Sequence, residues 1–213
     1  MRVGWGVDAH RFAPEGFVLL GGVIVDESRG VMATSDGDVA AHALTDAVLG
    51  AAALGDLGEF YPSSDPRWTG EDSMVILRDA LARAAAAGFR PTSADVTVVA
   101  QSIRIAPHRD TIRTAFAATL GIPLGACSVK ATTTDSLGFI GRDEGIAALA
   151  VVVMEEESHQ SPVTSRQQDE GPQTGPTVGY RCPDPTSVTG TRHPVPDTRY
   201  LTPGTWCLVS GVW

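Results

Sequence analysis

The amino-acid sequence predicts a mixed α/β domain over residues 1–157, in which helices cover a β-sheet. Strand-like and helix-like segments alternate along this part of the chain, which is typical of the class. Residues 146–154 are almost entirely apolar, which indicates a strand that is central in the sheet or buried on both faces. From Ser158 onward Pro, Gly, Thr, Ser and Gln dominate without a sustained period, so we expect residues 158–213 to form a disordered tail. An alternative is that the apolar residues near Trp206 and Trp213 dock on another surface.

Runs of apolar and β-branched residues that end at glycine or polar clusters predict the strands. The first such run follows Met1 directly, and Gly21 and Gly22 divide the next two runs into a hairpin. Later runs at residues 96–100 and 128–134 are rich in Val and Thr, which favour strands. The predicted strands cover residues 2–10, 17–20, 23–25, 96–100, 128–134 and 146–154.

Three helices are predicted between these strands. The first two begin at a capping Ser or Asp, the third begins at proline, and each ends at or before a glycine. Along the second helix, apolar residues at spacings of three and four form one face. The helices are predicted at residues 37–53 with Ser35 or Asp36 as N-cap, from Asp72 or Ser73 to Gly88, and from Pro107 to Gly121.

The charge of the chain limits its partners. The formal net charge is −9 and Lys130 is the only lysine. The clustered Lys and Arg residues of nucleic-acid-binding proteins are therefore absent, and we expect no nucleic-acid partner. An anionic substrate would have to be held by metal ions, backbone N–H groups and single arginines rather than by a broad positive field.

The cysteines and the hydropathy pattern indicate a cytoplasmic protein without a membrane span. Cys127, Cys182 and Cys207 are widely spaced and leave an odd thiol, which disfavours a disulfide framework and a zinc ribbon. No apolar run approaches the roughly 20 residues that span a bilayer. No basic segment followed by an apolar segment marks a secretory signal near Met1.

Two polar residues on the first predicted strand are candidate metal ligands. Asp8 and His10 are two positions apart, so both side chains point to the same face. This pair alone is more typical of a half-exposed polar strand end, but residues 35–38 then lead into a helix that carries His42. One carboxylate and two imidazoles form the three-ligand set, with one open position, that catalytic zinc uses. Asp8, His10 and His42 therefore predict a metal site.

The same helix carries a polar stripe. Asp38, His42 and Asp46 follow at spacings of four residues on an otherwise apolar helix. A solvated helix face is one interpretation. Because the helix is apolar enough to be buried, we favour the hypothesis that Asp46 orients His42.

A third polar patch follows a later strand. Thr132, Thr133 and Thr134 precede Asp135, and a glycine follows at position 138. The threonines could reflect β propensity alone. A strand that ends in hydroxyls and a carboxylate is also a suitable platform for phosphate and Mg²⁺.

Residues 1 to about 154 closely resemble the 2-C-methyl-D-erythritol 2,4-cyclodiphosphate synthase family. The matching stretches are GVDAH at 6–10, SDGDVAAHALTDAVLGAAALGDLG at 35–58, KATTTD at 130–135 and GFIGRDEGIA at 138–147. The resemblance implies a two-layer α+β sandwich that forms a homotrimer, with the sheets facing the three-fold axis and the active sites at subunit interfaces. The implied reaction converts 4-diphosphocytidyl-2-C-methyl-D-erythritol 2-phosphate into the cyclodiphosphate and CMP, in non-mevalonate isoprenoid precursor biosynthesis.

The resemblance also assigns site residues. It implies Zn²⁺ or another divalent metal at Asp8, His10 and His42, and Mg²⁺ or Mn²⁺ near Asp135 with the substrate diphosphate. The implied catalytic residues are Thr34 and Thr133. The implied substrate-binding residues are Asp8, His10, Thr34, Ser35, Asp56, Leu57, Gly58, Tyr61, Ser63, Asp65, Ala100, Arg104, Ala106, Ala131, Thr132, Thr133, Asp135, Phe139 and Arg142.

Two positions depart from the family pattern. Thr34 stands where the family usually has histidine, and Ser63 stands where an aspartate is frequent. We expect intact metal binding with reduced or altered turnover. One alternative is a catalytically degenerate relative that binds cytidine nucleotide or isoprenoid diphosphate. The other is an unrelated zinc hydrolase of phosphoesters, for which Asp38 or Asp46 would have to be the general base.

Overall fold

A computed structural model describes residues 1–157; the predicted tail, residues 158–213, lies outside the described residues. The strands are β1 (Arg2–Ala13), β2 (Val18–Leu20), β3 (Val23–Asp26), β4 (Gly30–Met32), β5 (Phe89–Val99), β6 (Cys127–Thr132) and β7 (Gly145–Glu156). The α-helices are α1 (Val39–Ala51), α2 (Leu57–Phe60), α3 (Ser73–Ala86), α4 (Arg109–Leu120) and α5 (Gly138–Gly141). Single 3₁₀ turns lie at Pro66–Trp68 and Leu124–Ala126.

The main sheet is mixed and has the strand order β4-β1-β7-β5-β6. Strand β7 is antiparallel to both β1 and β5, and β6 is parallel to β5. β1, β5 and β6 therefore run in the same direction and end at the same edge of the sheet. Alternate residues of β5 and β7 are buried beneath helices that pack on one face. The predicted two-layer α+β sandwich is confirmed.

Close packing between β1 and α1 depends on two glycines. A Cβ atom at Gly4 would lie 1.8 Å from the Ala47 carbonyl oxygen, and one at Gly6 would lie 2.1 Å from the Ala43 carbonyl oxygen. Such separations are far below van der Waals contact, so only glycine permits this approach. Because side chains alternate along a strand, Asp8 continues the face that the glycines present to α1.

Several predicted boundaries shift in the structure. Helix α1 begins at Val39, and its N-cap is Asp38 rather than Ser35 or Asp36. Gly37 has a φ of 75°, a left-handed conformation that cannot belong to the helix. Pro107 is also not the first helical residue of α4, which begins at Arg109. Within residues 1–157, no helix is long and apolar enough to cross a membrane.

Candidate metal centre and active site

The three predicted metal ligands meet at one point. Asp8 Oδ2 lies 2.9 Å from His42 Nδ1 and 3.1 Å from His10 Nε2. The two imidazole nitrogens are 3.2 Å apart. Vertices of a tetrahedron about zinc, with bonds of about 2.0–2.1 Å, are about 3.3 Å apart. The three ligating atoms therefore have nearly the spacing that one divalent cation requires.

The local sequence explains this convergence. Asp8 and His10 extend the face of β1 on which glycine allows α1 to approach, and His42 lies in the first turn of α1. Close packing between the strand and the helix thus sets the separation of the ligands. His42 is nearly buried, with 9% of its surface exposed, so its ring is held in place by surrounding atoms.

The environment of Asp8 favours the ionised carboxylate. Partial burial acts to raise the pKa of Asp8, but hydrogen bonds and charge interactions with His10 and His42 outweigh it. The pKa of Asp8 is consequently held well below its usual range. At neutral pH the site offers an anionic oxygen beside two imidazoles, which suits a divalent cation.

The structure contradicts the hypothesis that Asp46 orients His42. The Asp46 carboxylate instead accepts a hydrogen bond of 2.7 Å from the backbone N–H of Leu57. The outer nitrogen of His42, Nε2, lies 3.0 Å from Ser35 Oγ and 2.9 Å from Ser73 Oγ. The ring edge that faces away from the ligand cluster thus points toward the start of α3 and not along α1 toward Asp46.

Asp38 is also separate from the ligand cluster. Its carboxylate accepts hydrogen bonds from the backbone N–H groups of Gly22, at 2.8 Å, and Ala41, at 2.9 Å. Burial raises the pKa of Asp38 to about 6. Its contacts cap α1 and attach the β2–β3 hairpin to it, and among the described residues it does not line the cleft beside the metal site.

A cleft of about 400 Å³ opens beside the three ligands. It brings together the following predicted substrate-binding residues: Thr34, Ser35, Asp56, Leu57, Gly58, Tyr61 and Ser63. Asp46, Trp68 and Ile76 also line the cleft and were not predicted to do so. Asp65 lies outside the lining, where it caps the 3₁₀ turn and forms an ion pair with Arg67.

A second groove, of about 310 Å³, lies at the carboxyl ends of β5 and β6. It collects six of the predicted substrate-binding residues: Ala100, Arg104, Ala106, Ala131, Thr132 and Thr133. Two strands, β7 and β5, separate β1 from β6 in the sheet. Neighbouring strands are about 4.8 Å apart, so the groove is displaced by roughly 10–15 Å from the metal ligands along the same edge.

The remaining predicted residues occupy the turns near this edge. Asp135 is exposed after β6, with Thr133 Oγ1 3.3 Å from its carboxylate, and is not part of the ligand cluster. Phe139 lies with His10 at a small surface depression. Arg142 forms an ion pair of 2.7 Å with Glu144.

This fold and ligand cluster define a metal-binding α+β sandwich. The chain belongs to the YgbB family, whose sequence model matches residues 1–155. A 2-C-methyl-D-erythritol 2,4-cyclodiphosphate synthase from Pseudomonas aeruginosa is 49% identical over 154 residues, which are 72% of this chain and 98% of that protein. The synthase of Marinobacter nauticus is 50% identical over 155 residues, which are 73% of this chain and 98% of that protein.

Solved structures show the same fold. The bifunctional IspDF from Campylobacter jejuni has a TM-score of 0.71 and 42% identity, and the match covers 73% of this chain and 42% of that one. A 2C-methyl-D-erythritol-2,4-cyclodiphosphate synthase in its CDP-bound form has a TM-score of 0.67 and 34% identity, and the match covers 72% of this chain and 100% of that one.

Proposed function

We propose that the protein is a phosphorus–oxygen lyase that cyclises 4-diphosphocytidyl-2-C-methyl-D-erythritol 2-phosphate to 2-C-methyl-D-erythritol 2,4-cyclodiphosphate and releases CMP. The convergence of Asp8, His10 and His42 at the cleft carries this proposal. Relatives that bear this enzyme name match nearly their full length, which supports the same reaction here. The reaction belongs to non-mevalonate isoprenoid precursor biosynthesis, and we propose that it takes place in the cytoplasm.

The donor set favours zinc at the ligand cluster. One carboxylate oxygen and two imidazole nitrogens, at separations of 2.9–3.2 Å, fit a tetrahedral ion that keeps one position open. When bound, this ion would neutralise phosphate charge. We propose that Asp135, which is exposed beside the groove-lining Thr133, serves a Mg²⁺ or Mn²⁺ ion that arrives with the substrate diphosphate.

The proposed reaction places few demands on acid–base groups. The nucleophile is a phosphate monoester with a second pKa of about 6, so it is largely dianionic at neutral pH and needs no general base. CMP leaves as a stable anion. The protein must therefore align the attacking oxygen with the phosphorus atom, and hydroxyl donors such as Thr34, Ser35 and Thr133 would stabilise the developing charge.

The assay that tests this function is metal-dependent release of CMP from the authentic substrate. We expect the cyclic product, with equal activity for the full chain and for a version that ends at Glu157, because we propose residues 1–157 as the catalytic domain. CMP with a linear bisphosphate product would identify a hydrolase. Nucleotide binding without CMP release would identify the degenerate relative that the Thr34 substitution favours.

We further propose a homotrimer with the sheets facing the three-fold axis. The face of β1 opposite α1 exposes Val3, Trp5 and Val7, at 65%, 61% and 47% of their surfaces. An apolar stripe of this kind on the open face of a sheet is typical of a protein interface. In such a trimer, as the resemblance implies, the active sites would lie at the subunit interfaces.

The Trp5→Glu substitution is expected to convert the trimer to monomers, because it places a charge within the proposed apolar interface. Sedimentation velocity measures the change directly. Val75→Glu is the matched control, since Val75 is exposed on α3 in the opposite layer. A Trp5→Glu protein that sediments as the wild type would contradict this interface.

The Thr34→His substitution is expected to raise turnover by roughly 10- to 100-fold, because it adds a charged donor at the cleft where Thr34 offers one neutral hydroxyl. Steady-state CMP release measures kcat, and metal affinity should stay unchanged. Thr34→Asn, a neutral donor, is the control and should not reproduce the gain. Unchanged turnover in Thr34→His would show that Thr34 does not limit the rate.

A further inference from the structure

A buried hydrogen-bond chain leads away from the metal site behind His42. His42 Nε2 lies 2.9 Å from the hydroxyl oxygen of Ser73, the first residue of α3. The Ser73 hydroxyl donates to Asp36 Oδ1, and its backbone N–H donates to Asp36 Oδ2 at 3.2 Å. Ser73 has no exposed surface and is not among the residues that line the cleft. Ser73 and Asp36 therefore reach His42 from the start of α3 and from the loop before α1 without lining the cleft themselves.

We propose that Asp36 and Ser73 are positioning residues that fix the ring orientation and the tautomer of His42. A serine hydroxyl has one proton, and here it is given to the Asp36 carboxylate. Toward His42 the Ser73 oxygen can then only accept, so Nε2 must carry the ring proton. Nδ1, on the opposite side of the ring, is then the nitrogen that a cation at the ligand cluster would bind.

The geometry at the other side of the ring agrees with this assignment. Nδ1 and the Asp8 carboxylate lie 2.9 Å apart, and a cation bound between them would take the place of the hydrogen bond that joins them in its absence. Their approach is favourable when a cation lies between them, and a partner on the outer nitrogen is what makes a histidine a well-oriented, more basic ligand. This inference rests on the proposed metal site. It assigns to Ser73 and Asp36 the orientation of His42, the role that the sequence hypothesis had given to Asp46.

Ser35 has a different place in the same arrangement. Its hydroxyl oxygen lies 3.0 Å from His42 Nε2 and 3.3 Å from Ser73 Oγ, and Ser35 lines the cleft. Ser35 can therefore share the Nε2–H bond while directing its own proton elsewhere, including toward a bound phosphate. Ser73 cannot do so, because its proton is held by the carboxylate behind it.

The test is metal affinity, measured with Zn²⁺ by competition against a chromophoric chelator, together with the visible spectrum of the Co²⁺-loaded protein. Ser73→Ala is expected to weaken Zn²⁺ binding by about 10- to 100-fold and to alter the Co²⁺ bands. Asp36→Asn should have a smaller effect in the same direction, since its amide oxygen still accepts from Ser73. Thr45→Val is the matched control: Thr45 is buried on α1 and its hydroxyl donates only to the Ala41 carbonyl.

The possible outcomes distinguish failure of the proposed metal site from failure of the positioning role of Ser73 and Asp36. A wild-type protein that binds no Zn²⁺ would remove the metal site itself, and with it this inference. Wild-type binding that Ser73→Ala and Asp36→Asn leave unchanged in affinity and spectrum would overturn the positioning role alone. If Ser73→Ala fails to fold, the Zn²⁺ affinity and the Co²⁺ spectrum of Asp36→Asn decide whether the positioning role holds. Equal losses in Thr45→Val would attribute the effect to general loosening of α1 and would also overturn the positioning role.

Discussion

The Asp8→Asn substitution is expected to abolish tight metal binding and to lower CMP release by roughly 1,000-fold. Asp8 supplies the anionic oxygen of the cluster, and its pKa is held well below its usual range by His10 and His42 despite partial burial. Asparagine has the same shape but offers only a neutral amide oxygen, a weak zinc ligand. The measurements are bound zinc after dialysis and the rate of CMP release.

The control for this substitution is Asp110→Asn, on the exposed first turn of α4 and outside both the cleft and the groove. It removes the same charge and should leave zinc content and rate unchanged. Treatment of the wild type with a chelator should reproduce the loss of activity, and added Zn²⁺ should restore the wild type but not Asp8→Asn. An Asp8→Asn protein with full zinc content would exclude Asp8 as a ligand.

The sequence predicted those parts of the fold that extend over several turns or several alternations. Helix α3, with its apolar face and capping Asp72, was predicted to within two residues. The predicted start of α1 was wrong because two signals compete there. Ser35 and Asp36 are good capping residues, but the left-handed conformation of Gly37 means that the helix begins only after Asp38. Elements of one turn or three residues, such as α2 and β4, are too short to show a period.

The candidate site was predictable where it depends on local spacing. Asp8 and His10 share a strand face, and the fold brings His42 to them through close packing of β1 and α1. Ser73 and Asp36 could not be predicted in the same way, because Ser73 reaches His42, and Asp36 reaches Ser73, only through the packing of α3 against α1. Helical spacing correctly placed Asp46 near His42 but could not specify that its carboxylate turns to a loop N–H.

The Gly6→Ala substitution is expected to lower the free energy of unfolding by about 3 kcal/mol or more. The new Cβ atom would lie 2.1 Å from the Ala43 carbonyl oxygen and 2.8 Å from the Ala47 nitrogen, both backbone atoms that no rotamer change can move. Helix α1 must shift away from β1 to relieve the contact. Because His42 precedes Ala43 on that helix, we also expect weaker metal binding in any protein that folds.

Gly50→Ala makes the same chemical change on α1, where the added Cβ would have no atom within 4 Å apart from its chain neighbours and the adjacent helical backbone. Here only the helical backbone preference acts, and alanine should stabilise the protein by about 0.5–1 kcal/mol. Urea denaturation of both variants therefore separates close packing from helix propensity by the sign of the change. If Gly6→Ala shifted the midpoint no further than Gly50→Ala, close approach of α1 to β1 could not be what sets the separation of the metal ligands.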